Sequence, residues 1–184
     1  MTADFSMHDE SITIRPFLPD DAQAVYEAIQ ESLADVSPWL RDLGNVRSVE
    51  EVEAYIAVQP ENWSKRVACN FVITPLDGSA ILGSCGLTQI NQNHRFANLF
   101  YWVRSSCTRQ GVATRAVRLA ARFGLETLGL YRIEIVVEET NTASLRVAEK
   151  AGAQREGLLR NRLYSRGTPN HAVMFSLLPQ DLGI

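Results

Sequence analysis

Residues 107–124, CTRQGVATRAVRLAARFG, set Gly111 and the compact Val112, Ala113 and Thr114 at the mouth of an amphipathic helix. The first backbone N–H groups of a helix have no partner inside it and lie at the positive end of its dipole. Small side chains let an anion reach those groups directly. Arg109 precedes the helix, so it can add a point charge beside the turn, with Gln110 next to it. The stretch carries neither G-x-x-x-x-G-K-[ST] nor G-x-G-x-x-G, the two phosphate-cradling glycine patterns. On spacing alone, a tight turn leading into a helix explains it equally well. Arg104, Arg115, Arg118 and Arg122 read either as the solvated face of one helix or as an anion patch.

The elements around this turn follow from apolar spacing. Residues 12–17, ITIRPF, alternate like a half-buried strand. Asp20 or Asp21 can cap a helix whose Ala22, Val25, Tyr26, Ile29 and Leu33 share a face. SPWLRDLG (37–44) breaks that pattern and puts Trp39 in a loop. Ser48 and Glu51 have capping-box spacing ahead of a second helix carrying Val52, Tyr55 and Ile56. Strands are predicted at 69–74, 80–90 and 96–105, then the quoted turn and a helix to about Leu128. A strand at 131–138, a helix at 141–152 closed by Gly152, and strands at 153–164 and 170–178 complete the chain. The order βααβββαβαββ predicts an α/β fold: one mixed sheet, helices on both faces, a single domain over 1–184.

At 184 residues and 46% hydrophobic content, the chain can bury one good core. A net charge of −3 argues against a nucleic-acid partner. No apolar run has the roughly 20 residues a membrane helix needs, so no membrane partner is expected. The N-terminal MTADFSMHDES is polar and acidic, unlike a targeting segment. Cys69, Cys85 and Cys107 lack disulfide spacing, which points to a reducing compartment, the cytoplasm.

The stretch YWVRSSCTRQGVATRAVRLAARFGLETLGLYRIEIVVEETNTASLRVAEKAGAQREGLLRNRLYSRG (101–167) resembles the GNAT superfamily of N-acetyltransferases. It is most similar to the Rim-type branch, which acetylates ribosomal-protein N-termini. The family's acetyl-CoA motif is Q/R-x-x-G-x-G/A. Gly111 and Ala113 match its last two fixed positions, while Thr108 stands where Gln or Arg is usual. NTASLRVAEKAG followed by EGLLR matches the branch closely, and SPWL is similar to its Trp-containing substrate loop. The resemblance runs from about Ile12 to Leu177.

The resemblance implies a GNAT fold, a mostly antiparallel sheet splayed between FANLFYWV and RIEIVVE. It implies acetyl-CoA as cosubstrate, no metal, and an amine attacking the thioester carbon through a tetrahedral oxyanion. Backbone groups of Trp102 and Val103 would pair with the pantetheine arm, and the turn Arg109, Gln110, Gly111, Val112, Ala113, Thr114 would hold the diphosphate. The Val103 N–H would serve the oxyanion, a role worth about 3–4 kcal/mol in other oxyanion holes. Ser144 would serve the leaving thiolate, and Asn141 the pantetheine amide. Read as residues alone, Thr140 or Asn141 caps a helix and Ser144 fills its first turn.

The proton acceptor is where the chain departs from the branch. Asn98 stands where an acid is common, Phe100 where Gly is usual, and His171 where an Asp is frequent. His171, titrating near ~6.5, is either a substitute base or a sheet residue; His94 sits in a polar loop and reads as inert. Trp39 is either a lid anchor or, with Asn98, part of the acceptor side. A site without a carboxylate base suits an α-amino group, near ~7.7–8.0, better than a Lys near ~10.4. Three readings follow: acetylation of a protein N-terminus, acetylation of a small amine (polyamine, amino acid, aminoglycoside), or a catalytically silent acyl-CoA-binding module. Relatives are often homodimers, which the resemblance extends to this chain as an option.

Overall fold

Strand alternation and helix periodicity divide the apolar residues between two faces of one sheet. A computed structural model of the chain describes residues from Phe5 to the C-terminus, the side chain of Arg41 apart. Met1–Asp4, the start of the N-terminal segment read above for targeting, lie outside the described residues.

The eight strands are β1 (Met7–His8), β2 (Ile12–Pro16), β3 (Cys69–Pro75), β4 (Gly83–Asn91), β5 (Phe96–Val103), β6 (Arg132–Glu138), β7 (Gln154–Ser165) and β8 (Thr168–Leu177). They lie in the order β1-β2-β3-β4-β5-β6-β8-β7. Every neighbouring pair is antiparallel except β5–β6. The helices are α1 (Ala22–Val36), α2 (Arg41–Gly44), α3 (Val49–Ala57), α4 (Gln59–Ser64), α5 (Val112–Arg122) and α6 (Thr142–Ala151).

One core, holding Phe71, Leu87, Leu99, Ile133, Ile135 and Phe175, lies under α5 and α6. The other, holding Val25, Ile29, Val52, Ile56, Val72 and Trp102, lies under α1 and α3. Period-two alternation separates them: along β5, Leu99 faces the first and Trp102 the second. Trp63, Phe71 and Phe123 pack with ring centroids 5.0–5.4 Å apart, anchoring the end of α5 to the sheet. Truncating such a ring typically costs about 3–5 kcal/mol. Past Arg122 the helix continues as one π turn, Phe123–Thr127. There Gly124 meets the sheet so closely that a Cβ would lie 2.6 Å from Ile133 Cδ1.

Local capping differs from expectation in two places. Ser48 makes no side-chain cap bond; Glu51 Oε2 instead accepts the Arg47 N–H at 2.8 Å, one residue earlier than a capping box requires. Asp21 stands at the N-cap of α1 but makes no side-chain cap bond to it; its carboxylate instead accepts the Leu18 N–H at 2.7 Å and grips Arg15 in two hydrogen bonds of 2.7 and 2.8 Å. The spacing gave no sign of β1, α2 or α4. β1 is two residues long, and α4 is six with Pro60 in its first turn, where a missing N–H costs nothing.

The feature that positions a site is the β5–β6 seam. The strands pair only over Phe96–Asn98 and Arg132–Glu134, although β5 runs on to Val103 and β6 to Glu138. Beyond Asn98 they part, as the resemblance implied, leaving a wedge open at their C-terminal ends. α5 follows β5 and α6 follows β6, so both helices start at the mouth of that wedge.

Candidate active site

At the first mouth, Gly111 caps α5 with φ +82° and no side-chain cap bond. The first intrahelical bond recorded runs from Arg115 N to Gly111 O at 3.1 Å, so the N–H groups of Val112, Ala113 and Thr114 precede the ladder. A Cβ at Gly111 would find only Arg115 Nε, 3.8 Å away: the cradle is open, and the positive φ is what calls for glycine. Most of the neighbouring arginines are already engaged. Arg115 binds Asp9 and Glu10 at 3.0 and 2.9 Å, Arg118 donates to the Ala151 carbonyl at 3.0 Å, and Arg122 pairs with Glu126 at 2.8 Å. Arg104 pairs with Glu31 at 2.5 Å. Among the described residues no such bond holds Arg109, which leaves it as the cation beside the turn, itself at φ +62°.

The approach to the turn is clamped by α1. The Ser106 N–H donates to Glu31 at 2.9 Å, the Ser105 N–H to Ser32 Oγ at 3.0 Å, and the Ser105 hydroxyl to Asp35. Hydrogen bonds from the Ser106 side chain and backbone, and then from Arg104, hold the Glu31 carboxyl down at about 2.

Inside the wedge, alternation decides which main-chain groups are presented. Arg104 N–H bonds Leu82 O at 2.8 Å toward β4, and Tyr131 N–H bonds Arg95 O at 2.7 Å toward β6. Even-numbered β5 residues therefore turn their N–H and C=O groups to β4, and odd-numbered ones to β6. Leu99, Tyr101 and Val103 thus present theirs to the open edge. Val103 is turned to that edge. Trp102 is not: its main chain faces β4 and its indole is buried in the α1/α3 core, 5% exposed. At the open edge that position falls to Tyr101.

Tyr101 also spans the wedge. Its hydroxyl lies 2.6 Å from Ser144 Oγ on α6 and donates to the Ser144 carbonyl at 3.1 Å. Burial pushes the phenol up to about 12, so it stays protonated at any physiological pH. Asn141 caps α6 by accepting the Ser144 N–H on Oδ1 at 3.1 Å, so the capping alternative is realised and the cap uses its oxygen, not its amide nitrogen.

The other predicted residues scatter. Asn98 sits at the closed apex of the wedge, opposite Glu134, with the Thr88 hydroxyl donating to its carbonyl at 3.4 Å. His171 lies on β8, where its Nδ1 accepts the Asn161 N–H at 3.0 Å inside the irregular stretch of the β7–β8 pairing. With Nδ1 so engaged, His171 fits the sheet-residue alternative. Trp39 occupies the turn after α1, half-buried, its N–H bonded to Val36 O at 3.0 Å.

Facing Trp39 is a pair that the sequence reading missed. The Arg166 guanidinium lies 5.1 Å from the Trp39 ring centroid and pairs with Glu138, the last residue of β6. Glu138 is only 6% exposed; the Thr140 and Ser165 hydroxyls also donate to it, at 2.9 and 2.8 Å. Ile133, Ile135 and Val137 face the α5/α6 core, so the side chain of Glu138 lies on the opposite face, the side of α1 and α3. Arg166 and Gly167 form the two-residue β7–β8 turn, both at positive φ (51° and 78°), where Asn or Gly is usual. An arginine in that turn was the available signal.

Comparison with known proteins supports one family. The profile described as "Acetyltransferase (GNAT) domain" matches residues 11–154. YdaF of Bacillus subtilis (strain 168), provisionally named a ribosomal N-acetyltransferase, is 30% identical over 94% of this chain and 94% of its own. A Vibrio cholerae structure, provisionally named a ribosomal-protein-serine acetyltransferase, superposes with TM-score 0.83 at 29% identity, covering 97% of this chain and 100% of that one. Mycobacterium smegmatis RimJ in complex with CoA-disulfide gives TM-score 0.86 at 25% identity, covering 94% and 84%. With its wedge between two parallel strands and a glycine-capped helix at the mouth, this chain belongs to the GNAT acetyltransferase family, among the relatives of the Rim-type enzymes.

Proposed function

We propose that this chain transfers an acetyl group from acetyl-CoA to a primary amine, and that the amine is the N-terminus of a protein, as in ribosomal-protein acetylation. Acetyl-CoA supplies the acetyl group as a thioester, activated for attack by nitrogen. The observation that carries the reading is the wedge: β5 and β6 part beyond Asn98 and leave the N–H groups of Tyr101 and Val103 facing the gap. The N–H groups of Val112, Ala113 and Thr114, with Arg109 beside them, receive the diphosphate; the empty space over Gly111 fits that use. The Val103 N–H, turned to the gap, would donate to the carbonyl oxygen as negative charge gathers there. Ser144, held by Tyr101 at 2.6 Å, directs a hydroxyl proton to the departing sulfur, and the phenol, turning its one proton away from the Ser144 carbonyl, can donate to the serine. The three free cysteines suit a reducing, cytoplasmic setting.

The acceptor follows from proton affinity and from the company the sequence keeps. An α-amino group titrating near ~8 is partly free at neutral pH, whereas a Lys would cost roughly 3–4 kcal/mol more to deprotonate. Relatives named for ribosomal-protein acetylation support the same choice. The test is release of the CoA thiol by the full-length protein with acetyl-CoA, against peptides beginning Ala, Ser or Met and against spermidine, free lysine and an aminoglycoside. Turnover with peptides alone is expected. Turnover confined to the amines would establish the small-amine reading, and tight acetyl-CoA binding without thiol release from any acceptor would establish a silent module.

A further inference from the structure

Trp39, Glu138 and Arg166 make up one arrangement whose residues are far apart in sequence: an aromatic face and a buried carboxylate with a single guanidinium held between them. Aromatic faces and carboxylates both attract cations, and together they describe a seat for one. Resting on the acetyl-transfer reading above, we propose that this seat takes the acceptor's ammonium group. Arg166 is its placeholder in the acceptor-free chain, and Glu138 is the proton acceptor that neither Asn98 nor His171 supplies.

Three observations support it. Glu138 ends β6 at the open end of the wedge, six positions before Ser144 in the sequence, with its side chain on the α1/α3 face. Ser144 stands over the α5/α6 face. A thioester lying in the gap would therefore meet nitrogen from the Glu138 side and release sulfur toward the Ser144 side. Second, the seat is closed by exposed chemistry: the Arg166 side chain is 48% exposed and sits at a hairpin tip, whereas Glu138 is 6% exposed. The guanidinium can leave; the carboxylate cannot follow it into water. Third, Arg166 is the one charged partner recorded for Glu138 among the described residues; the others are the Thr140 and Ser165 hydroxyls. An ammonium that displaces Arg166 thus comes within hydrogen-bond reach of the carboxylate that is to take its proton.

The step balances. R–NH3+ gives one proton to Glu138 and becomes R–NH2. The nitrogen lone pair forms the N–C bond while the carbonyl π pair moves to oxygen; when that pair returns, the C–S bond breaks and its electrons leave on sulfur. The second nitrogen proton goes to the thiolate by way of the Ser144 hydroxyl, and Glu138 later returns its proton to water.

The seat is tested on the full-length, 15N-labelled protein with CoA bound. The Trp39 indole N–H signal is assigned as the one lost in Trp39→Phe, and Ser-Ala-Ala amide and ethylammonium chloride serve as probes. Either probe should shift this signal. The shift should saturate at least 10-fold earlier in Arg166→Gln and vanish in Glu138→Gln. An unchanged titration in Glu138→Gln, or weaker binding in Arg166→Gln, would overturn the seat. These signals need no turnover, so they stand apart from the acetyl-transfer reading. Where turnover is seen, Glu138→Gln should lower kcat/KM at least 30-fold with CoA affinity unchanged, and should move the acid limb of the wild-type pH profile up to that of the acceptor amine itself, near ~8. A limb left where the wild type has it would return Glu138 to a purely structural role. Arg166→Gln changes an exposed turn residue, so it keeps the proposal testable if Glu138→Gln fails to fold.

Discussion

The two mouths of the wedge are built from different materials. At the start of α5 the groups proposed to recognise a ligand are main-chain N–H donors, held by a glycine at φ +82° and opening onto free space. On the α1/α3 side they are side chains: the Trp39 ring, the Glu138 carboxylate and the Arg166 guanidinium between them. Main-chain donors fixed by a helix lose little freedom on binding and suit a ligand part that never varies, such as a diphosphate. Side chains on a loop and a hairpin tip can exchange partners, and they suit the half of the reaction in which acceptors differ. One end is preformed and the other is latched.

The sharpest way to break this contrast is to spoil the preformed end. Gly111→Glu puts a negative side chain at a left-handed position on the helix mouth. It should weaken acetyl-CoA binding by about 100-fold or more, since it repels the diphosphate and strains the turn. Gly111→Ala carries the strain, about 1 kcal/mol, without the charge, and should cost only several-fold. Calorimetric titration of both variants separates the two effects. Equal affinity in Gly111→Glu and the wild type would remove the diphosphate from this turn.

The contrast also explains what the sequence disclosed. Gly111, Ala113 and the NTAS run lie within a few residues of the groups they act with, so their spacing spoke for them. The sheet was equally legible, since alternation along 69–74, 96–105 and 131–138 is a local property. Tyr101, Glu138 and Arg166 gave no such sign. Tyr101 reaches Ser144 across 43 positions and Arg166 reaches Glu138 across 28, and only the folded sheet brings them together. Trp102 failed for a finer reason: a strand's period of two gives alternate residues opposite edges, and the register that sets which edge depends on pairing with β4.

Between the two mouths lies the Tyr101–Ser144 pair, and its variants sharpen the division of labour. Ser144→Ala should lower kcat about 10- to 100-fold while acetyl-CoA affinity changes less than about twofold, the pattern of a group that acts on the leaving sulfur. Tyr101→Phe leaves the serine in place without its partner and should cost about 3- to 10-fold in kcat. Steady-state kinetics with a saturating acceptor decides both. Unchanged turnover in Ser144→Ala would make this serine a residue of the helix start alone.

The smallest expected effect concerns how the preformed end is held. Loop 104–106 is fastened to α1 through Glu31, whose carboxyl sits near 2 rather than its ordinary 4.5 because Ser106 and Arg104 bond its ionised form. A carboxyl lowered by folding stabilises the native chain fully above its unfolded value and progressively less as pH falls toward the folded one. The contribution is therefore intact at pH 7 and fades between about 4.5 and 2. Glu31→Gln should lower Tm by about 1–2 °C at pH 7, a modest figure because the pair is partly exposed. That gap should close as the pH is taken from 5 toward 2.5, since the wild type then loses what the variant never had. Thermal melts across that range give the answer. A gap that stayed constant would mean that the amide had disturbed packing rather than charge, and that α1 holds the turn through Ser32 and Asp35 alone.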